Sequence, residues 1–97
     1  MASPISDRYA ITATAHADDL GPQRVLARTN SGRLIGQDVL YTSHHEIDEK
    51  IAISIQFNQS QFPGVKKIED IKLSEMRYDG TEKPFRGAIQ GLFQLNV

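Results

Sequence analysis

Ninety-seven residues, 39% of them apolar and 24% charged, suffice for one compact domain and are too few for two. A net charge of -1 lacks the basic footprint of a dedicated nucleic-acid binder, and the absence of cysteine excludes disulfide scaffolds, thiol catalysis and thiolate-bound zinc. No apolar run approaches the roughly 20 residues of a membrane-spanning helix, so neither nucleic acid nor membrane is expected as a partner.

Residues 1–6 read as a loose N-terminus of a single β domain covering 1–97. Asp7 and Arg8 stand where a secretory signal would place its apolar core. Ala15-His16-Ala17 has the small-residue look of a cleavage site, but no apolar stretch precedes it. The compartment stays open, an extracellular mature form included. In Arg8–Ala15, Tyr9, Ile11 and Ala13 alternate with Ala10, Thr12 and Thr14, the period-two pattern of a strand with one buried face.

Gln23–Thr29 and Arg33–Thr42 predict two more strands, joined by the turn Asn30-Ser31-Gly32, whose Asn and Gly tolerate left-handed backbone. Gly36 inside the second of these predicts a bulge. Without one, Leu34 falls out of phase with Val39 and Tyr41. The clearest strand is Lys50–Phe57, in which Ile51, Ile53, Ile55 and Phe57 share a face against Ala52, Ser54 and Gln56.

Asn58–Gly64 predicts a loop, and Asn58-Gln59-Ser60 is a formal N-glycosylation acceptor within it. Residues 65–78 are ambiguous. Val65, Ile68, Ile71 and Met76 suit a helical stripe, whereas Ile71 and Leu73 suit a strand. A strand from Lys67 to Tyr78 with an irregularity near Ser74-Glu75 is favoured, and a short helix is the alternative. Asp79-Gly80 predicts a hairpin turn. One or two final strands follow Pro84, with Phe93, Leu95 and Val97 on one face. Six to eight short strands with turns roughly every 8–12 residues define an all-β class, a small antiparallel β-sandwich or partly open barrel.

Chemistry-bearing motifs are sparse. Ser43–Lys50 packs His44, His45, Glu46, Asp48 and Glu49 together, and His45–Glu49 nearly spells the zinc-protease pattern HExxH. Glu49 takes the place of the second histidine, and the flanks read as strand ends, whereas the motif needs a helix. Adjacent histidines in extended chain point opposite ways and do not share a metal easily. His44 and His45 are instead a solvated loop and a candidate contact for a partner. His16 with Asp18 and Asp19 reads as equally solvated. No GxSxG elbow, GxGxxG turn or Walker pattern occurs, so no enzyme activity and no cofactor are expected. Phe62-Pro63-Gly64 places an aromatic at the end of a polar loop. Phe62 and Pro63 are a second candidate partner contact, the alternative being that Phe62 folds back to cap the core.

Several short motifs carry a resemblance. Arg28–Leu34 and Val39 sit where an early arginine-rich strand and following valines are expected, Ile68-Glu69-Asp70-Ile71 supplies an I-x-x-I step, Asp79-Gly80-Thr81 opens a glycine turn, and Gly91 precedes the strand LFQLNV. In these features, from about Arg24 onward, the chain resembles the insect multiprotein-bridging-factor-two type family. Glu82-Lys83 replaces that family's glycine pair, Gly91 stands single, and the closing S-Q-R-G segment has no counterpart in these residues. The resemblance implies a non-enzymatic β domain, often secreted, named for bridging transcription proteins. It also implies an open sheet edge where the closing segment would lie, available to another chain or to Arg8–Ala15.

The expected function is therefore that of a protein-binding module. A subunit that self-assembles through strand edges is the alternative, and a lectin-like carbohydrate binder is the third reading. Absence of tryptophan weighs against the last.

Overall fold

The computed structural model describes residues 7–16, 23–40, 50–77 and 79–95. The expected loose N-terminus 1–6 lies outside them. Seven strands form two antiparallel sheets: β1 (Arg8–His16), β2 (Gln23–Thr29), β3 (Leu34–Leu40), β4 (Lys50–Asn58), β5 (Ile71–Arg77), β6 (Glu82–Pro84) and β7 (Ala88–Gln94). A three-stranded sheet in the order β4-β1-β7 packs on a four-stranded sheet in the order β3-β2-β5-β6. The molecule is the small all-β sandwich that the alternation predicts.

β1 is central because both its flanks find partners. It pairs with β4 in an unbroken nine-residue register, Arg8 opposite Asn58 through His16 opposite Lys50. Its inward residues Ile11, Ala13 and Ala15 are buried, as are Ile53, Ile55 and Phe57 of β4. Across the sandwich they meet Val25, Ala27, Ile35 and Ile71, and Phe62 and Val65 close one end of the core. Each buried isoleucine contributes about 1.5–3 kcal/mol relative to exposure.

The turn after β2 forms as the sequence predicts, with Gly32 at φ +94° and its N–H donating to the Thr29 carbonyl at 2.9 Å. Ala27 faces Gly36 while Arg28 faces Leu34, so Ile35 is the extra residue of a bulge beside Gly36. Gly36 is needed there. A Cβ at this position would lie 2.7 Å from Cγ2 of Ile55, so the close approach of β3 to β4 depends on the missing side chain. Gly80, at φ +88°, makes the second turn.

Two expectations change. The segment 65–78 starts its strand at Ile71, after a single 3₁₀ turn at Ile68–Asp70, and β5 pairs with β2 without a break from Ile71 to Arg77. No irregularity therefore falls at Ser74-Glu75 in this pairing. The sequence pattern breaks there because Glu75, a carboxylate, occupies an inward position opposite Val25 and is fully buried. Glu82–Pro84, which the sequence reading left between the turn and the final strands, forms β6 by pairing with Ser74–Met76. Phe93 lies on the outer face beside Ala10, more than half exposed, its ring over Gly91.

Candidate functional site

Phe62 does fold back onto the core. It is 8% exposed, meets Phe57 edge-on at 6.0 Å between ring centroids, and carries the Arg33 guanidinium 4.5 Å above its ring. The polar run around it forces this inversion, because Phe62 is the only residue of Asn58–Gly64 with a large apolar surface to hide. Arg33 is held in place by donating to the Gln61 carbonyl at 2.8 Å, and Val65 donates back to the Phe62 carbonyl. Pro63 stays exposed beside it. Together with Thr29, Asn30, Ser31 and Asp70 these residues line an open depression of about 350 Å³. Asp70 forms part of its wall. The N–H of Lys66, then that of Lys67, holds the Asp70 carboxyl below its ordinary range.

His44 and His45, the other candidate contacts, lie in 41–49, outside the described residues, so Phe62 and Pro63 are not shown together with them. His16 ends β1 opposite Lys50. Among the described residues no three histidine, aspartate or glutamate side chains gather as metal ligands.

A second surface emerges on the outer face of the four-stranded sheet. The register sets three rows across it: Val39, Arg24, Met76 and Glu82; then Gln37, Leu26, Ser74 and Pro84; then Leu34, Arg28 and Lys72. Leu34 is 45% exposed and Val39 58%. Arg28 donates from Nε and Nη2 to the two Glu82 oxygens at 3.2 and 3.1 Å, and from Nη1 to the Gly32 carbonyl at 3.1 Å. Arg28 and Glu82 belong to the outer rows, so their bridge crosses the Leu26–Ser74 row, and Leu26 is only 3% exposed on this otherwise wet face. The Arg28 guanidinium, aided by the Ser74 hydroxyl at 2.6 Å, holds the Glu82 carboxyl below its ordinary range. Arg24 and Lys72 make no ion pair among the described residues. A depression of about 580 Å³, reached by Arg28, Lys72, Glu82 and Lys83, connects this face to the Phe62–Pro63 depression around the shared residues Thr29, Asn30 and Ser31.

Sequence reading missed Leu34, Val39 and Arg24 as surface residues. The available signal was the bulge itself. One extra residue at Ile35 returns Leu34 to the side of Val39, and Arg24, Leu26 and Arg28 alternate with the buried Val25 and Ala27.

The fold and its faces define a small antiparallel β-sandwich with an apolar and basic outer sheet. Comparisons with protein-family models, curated proteins and solved structures return no match to this chain.

Proposed function

We propose that this domain is a non-enzymatic protein-binding module that engages its partner through the outer face of β3, β2 and β5. The observation that carries the reading is the exposure of Leu34 and Val39 on the same face as Arg24 and Lys72, cations that make no ion pair among the described residues. Exposed aliphatic side chains set among arginines resemble the core of a protein interface before the partner arrives. The charge chooses the partner: a segment with apolar side chains beside carboxylates satisfies both features. The depressions flanking Asn30 extend the surface toward Pro63, and a partner long enough to cross the turn would also touch the Phe62 rim.

Selection of a randomised peptide display library on the immobilised domain tests this. Recovered sequences should combine aspartate or glutamate with aliphatic or aromatic residues. Val39→Asp and Arg24→Glu should abolish their binding while leaving the melting temperature unchanged. Binders indifferent to both substitutions, or a library that yields no enriched sequence, would overturn the reading.

A further inference from the structure

The two sheets have four edges, and among the described residues three are covered or guarded. The β4 edge faces β3, where an oxygen of Asp38 accepts the outward N–H of Ser54 at 3.1 Å and Gly36 lies close to the Gln56 carbonyl. That contact covers the edges of β3 and β4 together. β6 is three residues long, carries Lys83 and ends in Pro84, the usual devices that discourage pairing. β7 is seven residues long and carries no charged side chain, and among the described residues no strand pairs with its outer edge, although the 3₁₀ turn Ile68–Asp70 touches the strand.

The hydrogen-bond pattern says which groups that edge presents. Leu95 donates to the Arg8 carbonyl, so Arg8, Ala10 and Thr12 are the β1 residues bonded to β7. Their partners Phe93 and Gly91 face inward along the sheet. Leu92, opposite Ile11, therefore turns its N–H and C=O away from β1, toward the open edge. The bulge falls at Gln90, between the Ile89 and Gly91 pairings, and leaves the strand regular around Leu92.

We propose that two copies of this chain pair antiparallel through β7 about a twofold axis at Leu92. Leu92 then lies opposite Leu92 of the second copy, exchanging both backbone hydrogen bonds, and Gly91 lies opposite Phe93. The half-exposed Phe93 rings, each lying over Gly91 of its own strand, then stand side by side on one continuous outer face. A second copy suits this edge because an uncharged strand carries nothing to repel itself, and the whole chain adds a net charge of only -1. The result is one six-stranded sheet, β4-β1-β7-β7-β1-β4, whose outer edges are both covered by Asp38. Growth stops at the dimer, the closed symmetric outcome. This pairing uses the opposite sheet from the proposed partner face, so the two stand or fall separately.

Sedimentation velocity from micromolar to millimolar protein, with amide hydrogen exchange at both extremes, tests the proposal. The mass should rise from one chain to two and stop, and the Leu92 amide should gain protection as it does. Gln90→Lys and Phe93→Lys, both at exposed positions, should weaken association by at least about tenfold. Val39→Lys should not. A single-chain mass throughout, growth beyond two chains, or a dimer weakened by Val39→Lys and untouched by Gln90→Lys would each overturn it. Gln90→Lys keeps the test decisive if Phe93→Lys fails to fold.

Discussion

Arg28 and Glu82, 54 residues apart in sequence, are joined side-on by two hydrogen bonds that cross the outer face of the four-stranded sheet past Ser74. The pair fastens β6 to β2 although the two strands are not neighbours, since β5 runs between them. Arg28→Ala should lower the melting temperature and raise protease cleavage around Glu82–Pro84. Arg28→Lys should restore little, because a point charge cannot replace the two-pronged contact. Limited proteolysis with mapped cut sites checks this.

Acid sensitivity follows from Glu82 and Asp70, whose carboxyls are held below their ordinary values of 4.5 and 3.8. As pH falls, the unfolded chain takes up protons first. The stabilisation from these groups is complete above the ordinary carboxylate range and is lost as pH falls through the depressed folded values. The urea midpoint should be flat near neutrality and drop below about pH 4.5. The double variant Glu82→Gln, Asp70→Asn should start lower and show a shallower acid decline. An unchanged slope would remove both residues from the account.

At Gly36 the prediction is steric. Gly36→Ala drives a methyl against Cγ2 of the buried Ile55 and should cost about 1–3 kcal/mol. Ile55→Leu removes the Cγ2 methyl on the branched Cβ and should recover part of that loss in the double variant. A double-mutant cycle in urea measures the coupling, and additive losses would locate the strain elsewhere.

Two buried polar side chains share the inner face near one end of the sandwich. Oε1 of Glu75 accepts the Arg86 N–H at 3.2 Å, and its other oxygen lies 3.8 Å from the Arg86 guanidinium. Gln23 is 3% exposed, and neither polar atom of its amide has a hydrogen-bond partner among the described residues. Gln23→Met should therefore stabilise the fold by about 1–3 kcal/mol. Arg86→Met should cost more than Glu75→Gln, because the first leaves a buried charge without its cation and the second removes the charge itself. Equilibrium denaturation of the three variants gives the ranking.

Phe62 and Pro63, adjacent in sequence, should separate cleanly. Phe62→Ala empties a core position and should cost about 3–5 kcal/mol. Pro63→Ala, at an exposed position, should stay within about 0.5 kcal/mol of the parent. Thermal melts of both, read beside any peptide affinity from the display selection, divide core packing from contact.

What the sequence determined by itself was local. Period-two alternation marked β1 and β4 nearly to the residue, since side-chain direction in a strand depends only on parity. Glycines marked Gly32 and Gly80, where positive φ admits little else, and Gly36 marked the bulge. Tertiary structure decided the rest. Nothing along the chain says that β1 pairs with both β4 and β7, that Asp38 covers the edge of β4, or that Arg28 reaches Glu82, because those partners meet only when long loops close. The same holds for burial. Leu34 and Val39 look like core residues and stand in solvent, and Phe62, which reads either as a loop contact or as a cap on the core, lies in the core. Glu75 broke the alternation because it is buried. Hydrophobicity tells a residue to leave water, but only the second sheet decides which face is dry.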